Sequence, residues 1–314
     1  MSPRTLVRRA VGAVFALVLV IIAVPAQAAP PLPENFNFFG GIPSELTNPN
    51  GSLPGTNDYA CKPTARHPNP VVLVHGTGGG SQTNWGAYAP LLKNNGYCVF
   101  SFTYGALPGA PWPVNQIGGT RPLADSAEQL KAVVERVLGS TGARKVDLIG
   151  HSQGTLMPSY YVKYLGGADK VGRYVSLAPL WRGTGADIGR AVSMFARGLN
   201  LPDPYFPVFE SIGDMLPGSR FLEKIWAGGS PYATGVEYTN ISTRYDELVL
   251  PYTSGQLAGR AVTNIVVQDT CAQDFSDHLA IAGSRRAAYF VLNALDPAHP
   301  RTVPCYVVPP LFGA

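Results

Sequence analysis

Lys145–Thr155, KVDLIGHSQGT, is the stretch whose reading decides the fold. An apolar run, Val146 to Ile149, leads into Gly150-His151-Ser152-Gln153-Gly154, and a helix-like segment, Leu156 to Leu165, follows. This is a G-x-S-x-G turn between a strand and a helix, the setting in which a serine hydroxyl projects clear of the backbone. Gly150 and Gly154 remove the side chains that would collide across so sharp a turn. The first expectation is therefore that Ser152 is a nucleophile.

Upstream, Val71 to Val74 is a short, continuously apolar, β-branched run, the pattern of a strand buried on both faces of a parallel sheet. Trp85 to Leu92 has helical character, and Tyr97 to Tyr104 reads as the next strand. After a Gly-Pro-rich excursion from Gly105 to Gly119, Ala127, Leu130, Val134 and Val137 recur at helical spacing within Ala124 to Leu138. Strand, helix, strand, helix and then the elbow strand predict a doubly wound, mostly parallel α/β sheet.

The loop His75-Gly-Thr-Gly-Gly-Gly80 after the first strand lacks the spacing of a phosphate cradle, and no lysine follows it. Beside a nucleophile elbow the same loop supplies one N–H of an oxyanion hole, the other coming from the residue after the serine, Gln153. Thr77 is the expected loop donor and Gly78 the alternative.

On such a sheet the partners follow in the order serine, acid, histidine. Only His278 and His299 lie beyond Ser152, and His299 falls in a Pro-rich tail. His278 follows an apolar strand, Ile265 to Val267, precedes a helix expected from Leu279 to Leu295, and is the expected base. Asp246, at the end of the β-prone stretch Val236 to Tyr245, is the expected acid, with Glu247 the nearest alternative. Asp269, Asp274 and Asp277 compete from the histidine's own loop, where Asp277 could instead cap the following helix. His151 is expected to pack beside the turn, and His75 to support the oxyanion loop.

Residues 1–28 read as an export signal: Arg4, Arg8 and Arg9, an apolar stretch from Ala10 to Val24, then Ala26-Gln27-Ala28. Fifteen apolar residues are short for a membrane span of about twenty. The mature chain of about 286 residues is thus expected to be secreted, without a stable membrane span. Losing three arginines lowers the 24 basic residues to 21 against 20 acidic ones, and the net charge from +4 to about +1. That balance, with no basic cluster, leaves no footprint for nucleic acid.

Four cysteines in an exported chain predict two disulfides, and Cys61 with Cys98 and Cys271 with Cys305 close the two shortest non-overlapping loops. No C-x-x-C or H-x-x-x-H spacing suggests a metal. Residues 29–66, rich in Pro, Asn and Gly, are expected to form an irregular N-terminal wrap around a catalytic domain, 67–314.

HGTGG at 75–79, VDLIGHSQG at 146–154, RYDELVLP at 244–251 and DHLAI at 277–281 together resemble the secreted actinobacterial class 2 lipases of the α/β-hydrolase superfamily. The loop, elbow, acid segment, DH segment and cysteine positions are also similar to the yeast lipase B of Candida antarctica. The likeness runs from about Asp58 to Cys305. It implies the α/β-hydrolase fold, a triad of Ser152, Asp246 and His278, an oxyanion hole from Thr77 and Gln153, and no cofactor. It further implies action on carboxylic esters with an apolar acyl group, and it supports the cysteine pairing above. Thr155 departs from the second glycine that many of these lipases carry, which bears on the packing of the following helix.

Between about 181 and 232 the chain is markedly apolar, the place and composition of a cap or lid. Phe195, Phe206, Phe209 and Trp226 are the expected acyl-contacting residues, and the same side chains could equally form the cap's own core. The substrate expected is a lipid ester, and a lid that opens at a lipid–water interface is one of the two readings of the cap. Two alternatives use the same scaffold: an esterase for short-chain or polyester substrates, and a catalytically silent lipid-binding protein.

Overall fold

A computed structural model describes residues 30–185, 187 and 209–314. The expected signal, residues 1–28, and the cap residues Phe195 and Phe206 lie outside the described residues.

Six strands form one sheet: β1 (Val71–Val74), β2 (Val99–Ser101), β3 (Val146–His151), β4 (Val171–Leu177), β5 (Glu237–Ser242) and β6 (Val262–Val266). Their order is β2-β1-β3-β4-β5-β6 and every pairing is parallel. The first crossover places β2 on one side of β1, and the next returns the chain to β3 on the other side. This reversal opens a crevice beyond the carboxyl ends of β1 and β3, where ligands bind in open parallel sheets. Both the loop after β1 and the turn after β3 end there.

Two apolar layers cover the sheet, because successive side chains of a buried strand face opposite ways. Val72 and Val74 of β1 join a core with Leu130 and Val134 of α3 (Leu123–Thr141) and Leu156 and Tyr161 of α4 (Gln153–Tyr164). Val71 and Leu73 join the opposite core with Leu91 and Leu92 of α2 (Tyr88–Asn94) and with Ala288 and Val291 of a C-terminal helix, Arg285–Leu295. The apolar stripe expected on α3 is buried, and the helix stops at Gly142, whose φ of 77° forms a left-handed cap. Among the described residues no helix is long and apolar enough to cross a membrane.

Two expectations need correction. The stretch 29–66 is not irregular throughout, because Phe38–Gly41 forms a 3-10 turn, capped by the Asn37 side chain, and runs into α1 (Ile42–Thr47). Pro43 sits in the first turn of α1, where its missing N–H is no loss. The single helix expected from Leu279 to Leu295 is two pieces, a 3-10 turn at Ala280–Ala282 and the helix from Arg285. Gly283 separates them at a point where a Cβ would lie 2.3 Å from the Phe38 nitrogen, and Ser284 recaps the chain by accepting the Ala287 N–H.

Both expected disulfides form, Cys61–Cys98 and Cys271–Cys305. The second ties the segment before His278 to the C-terminal tail, which also bonds to it through Phe275 N–H to Val308 O and Leu311 N–H to Asp277 Oδ2.

Candidate active site

The turn after β3 forces Ser152 to φ 53° and ψ −125°, a conformation that L-residues adopt only under constraint. The strain is held by close backbone packing. A Cβ on Gly150 would sit 2.1 Å from the Gly154 oxygen, and one on Gly154 would sit 2.1 Å from the Val74 oxygen. Thr155 fits without disturbing the turn: it is buried, and its hydroxyl donates to the Ser152 carbonyl at 2.7 Å. α4 begins at Gln153, whose N–H is among the first-turn donors that have no acceptor within the helix.

The loop after β1 passes over this turn, with Gly76 so near that an added Cβ would lie 3.1 Å from the Ser152 Cβ. A buried network fixes the loop. The Tyr104 N–H donates to His75 Nε2 at 3.1 Å, so the ring proton sits on Nδ1 and is donated to Gly76 O at 2.8 Å. Burial pushes the His75 pKa down to about 4, which keeps the ring neutral in this supporting role. The Tyr104 hydroxyl faces both His75 O and Gln153 Oε1, and the Gln153 amide nitrogen donates to Thr77 Oγ1 at 2.9 Å and Gly119 O at 3.0 Å. Of the two loop residues considered as donors, Gly78 has its N–H engaged with Gly118 O at 2.9 Å.

His278 and Asp246 meet directly. Nδ1 of His278 donates to Asp246 Oδ1 at 2.8 Å, and both side chains are almost fully buried. Burial, the largest single influence, lowers the His278 pKa. The charge and hydrogen bond of Asp246, with Glu247 and Asp277, more than reverse it and hold the pKa above the ordinary histidine value. Glu247 accepts the main-chain N–H of His278 at 3.1 Å rather than its ring. Asp277 caps the following turn through Ala280 N–H, and Asp274 accepts from Ser276. Asp269 pairs with Arg244. The ring of His151, the residue before Ser152, has its centroid 5.1 Å from that of His278. His299 is exposed in the tail and bonded to Asp296.

Of the expected acyl-contacting residues, Phe209 is buried in a core with Ile212, Met215 and Phe221. Trp226 is half-buried, with its indole N–H donated to Trp181 O and the Arg182 guanidinium over its ring. Tyr104, Asn84 and Gly119 take part in the site's bonding although nothing in their sequence neighbourhood marks them. Tyr104 meets Gln153 from 49 positions away, Gly119 meets it from 34, and Asn84 meets His151 from 67, so no local pattern could have found these contacts.

Chemically, a serine in a strained turn and an imidazole held by a buried carboxylate are the groups that nucleophilic acyl transfer uses. A family model described as lipase (class 2) matches residues 68–286, well over half the chain. The chain belongs to the class 2 lipase family. Over 96 residues it is 34% identical to a triacylglycerol lipase of Pseudarthrobacter phenanthrenivorans, covering 29% of this chain and 27% of that one. A triacylglycerol lipase of Burkholderia plantarii matches at 34% over 96 residues, covering 29% of this chain and 24% of that one. The chain thus matches only about a quarter of the length of these curated relatives.

Among solved structures, Aspergillus fumigatus lipase B superposes with a TM-score of 0.56 at 18% identity, covering 80% of this chain and 61% of that one. The mature Bacillus licheniformis lipase BlEst2 gives 0.56 at 15%, covering 79% and 99%. At such identities the likeness speaks for the fold alone, and with the parallel sheet it gives this class 2 lipase family member the α/β-hydrolase fold.

Proposed function

We propose that this protein is a secreted serine hydrolase that cleaves carboxylic esters of lipids through Ser152, His278 and Asp246. The observation that carries the reading is the buried His278–Asp246 hydrogen bond, taken with a serine held at positive φ in a glycine-flanked turn. His278, oriented by Asp246, takes the Ser152 proton as the hydroxyl attacks the ester carbonyl, and water later releases the acyl-enzyme. The N–H groups of Thr77 and Gln153 hold the oxyanion. Thr77 is preferred because the Gly78 N–H already has an acceptor, and Gln153 because its N–H opens a helix. Each such donor is worth about 2.7–4 kcal/mol of transition-state stabilisation.

Membership of the lipase family, and relatives named as triacylglycerol lipases, support a lipid ester as the substrate. Secretion is supported by the N-terminal pattern and by two disulfides, which persist in oxidising compartments. We place the acyl group against the apolar cap of residues 181–232, within a catalytic domain of residues 67–314.

The test is the initial rate of the mature protein on nitrophenyl esters of rising acyl length, with Ser152→Ala as the blank and a serine-reactive phosphonate as the label. Ser152-dependent hydrolysis with an optimum at long chains is expected. Equal rates in protein and blank, with no label on Ser152, would overturn the assignment.

A further inference from the structure

His278 sits in a segment with little regular structure, so no helix or strand ladder fixes its peptide groups. Side chains do so instead. Its N–H donates to Glu247 Oε2 at 3.1 Å, and its carbonyl lies 2.9 Å from Nε2 of His151. A carbonyl oxygen only accepts, so Nε2 of His151 carries a proton and donates it there. Burial, reinforced by the neighbouring His278, pushes the His151 pKa down to about 3, so the ring is neutral and Nδ1 is bare.

Nδ1 of His151 lies 3.1 Å from Oδ1 of Asn84, and that same oxygen accepts the Gly76 N–H at 3.1 Å. The Asn84 amide nitrogen is buried with no hydrogen-bond partner. Gly76 calls for the oxygen of this amide, while a bare imidazole nitrogen calls for its N–H group. Asn84 therefore bonds the loop after β1 and meets the bare edge of the His151 ring by packing alone. The space around it is closed: a Cβ on Gly76 would lie 3.2 Å from His151 Nδ1, and Phe38 packs its ring edge-on against His151 at 5.8 Å.

We infer that His151 is a positioning residue for the proposed hydrolysis. Its Nε2–H fixes the main chain of His278, and the close packing of Gly76 and Phe38 about its ring keeps it, and so the base, next to the loop that carries Thr77. Asp246 orients the imidazole of His278, and His151 orients the peptide from which that imidazole hangs. The inference rests on His278 being the base. Displacing a reacting group by about 1 Å can lower a rate on the order of 100-fold, so an anchor on a loop residue has leverage on kcat.

The test compares His151→Phe, which fills the space without a donor, with His151→Gln, whose side-chain N–H group reaches about as far from the backbone as Nε2. The readouts are kcat and KM on a nitrophenyl ester, the melting temperature, and the nitrogen chemical shifts of the His151 ring in the wild-type protein without substrate. His151→Phe is expected to lower kcat about ten- to hundredfold with KM within about threefold. His151→Gln is expected to recover most of the loss, and the ring spectrum is expected to show a protonated Nε2 and a bare Nδ1.

Wild-type kcat in His151→Phe, or an equal fall in both variants, would overturn the positioning role. A protonated Nδ1 with a bare Nε2 would overturn it from the wild-type spectrum, whether or not either variant folds. Absence of Ser152-dependent hydrolysis in the wild type would instead remove the hydrolase reading, a result distinguishable because the ring spectrum is read without substrate.

Discussion

Asp246 and His278 are 32 positions apart in sequence, yet Oδ1 of the one accepts the Nδ1–H of the other at 2.8 Å. The same oxygen also accepts the N–H groups of Leu248 at 3.0 Å and Val249 at 2.7 Å. The carboxylate is thus aimed by the turn of its own loop before it meets the imidazole, and the imidazole inherits that aim.

The proposed base, His278, can take a proton only when neutral, and its pKa lies above the ordinary histidine value of 6.5 because Asp246, Glu247 and Asp277 outweigh burial. The rate therefore falls as pH drops, and kcat/KM plotted against pH is expected to rise through a midpoint above 6.5. A flat profile from acid to neutral pH, or a midpoint below that value, would refute the role of the pair.

Replacing Asp246 by Asn keeps the shape and an oxygen for Leu248 and Val249, but removes the charge that orients and stabilises the imidazolium. A fall in kcat on the order of 10⁴-fold is expected, as for triads in general. Glu247→Gln, which keeps an oxygen for the His278 main-chain N–H and removes a lesser one of the charges that raise the His278 pKa, is expected to stay within about tenfold of wild type. Steady-state kinetics of the two variants decide between the carboxylates, and the reverse ranking would assign the acid to Glu247.

Ser152 occupies a backbone conformation that disfavours any side chain, at a cost of about 1–3 kcal/mol. Glycine adopts it freely but loses more entropy on folding. Ser152→Gly is expected to be inactive and about 1 kcal/mol more stable than Ser152→Ala, which keeps the strained Cβ. Urea unfolding midpoints measure the difference, and equal midpoints would show that the turn stores no strain.

Cys271–Cys305 closes a loop of 34 residues and clamps the segment leading to His278. Replacing both cysteines by serine is expected to lower stability by about 3–4 kcal/mol from loop entropy. Activity is expected to fail on heating before the far-ultraviolet dichroism does, because the clamped segment borders the base. Coincident loss of both signals would argue against that local role.

Much of the fold was legible in the chain because its signals are local. The continuously apolar runs at 71–74 and 146–149 mark strands covered on both faces, and the glycines around Ser152 mark a turn that only small residues survive. The pairing of His278 with Asp246 was expected from where loops leave such a sheet, and the two side chains do meet. The break at Gly283 was not legible, since the reason for it is contact with Phe38 from the far N-terminal segment. The helical turns at 38–47 were missed for a related reason: Pro and Gly read as breakers until the first-turn position of Pro43 and the Asn37 cap are seen.

By itself, then, the sequence determined most of the elements, their parallel alternation, the sharp turn at Ser152 and the favoured cysteine pairing, because backbone sterics, apolar periodicity and loop length act along the chain. Only the tertiary structure decided which polar groups meet. His151 reaches a carbonyl 127 positions away, Tyr104 bridges the loop after β1 to Gln153, and Glu247 turns to the main chain of His278 while Asp246 takes its ring. Such pairings are set by the packing of loops at one end of a sheet, where burial makes every unmet donor or acceptor costly and so selects the partners that happen to be within reach.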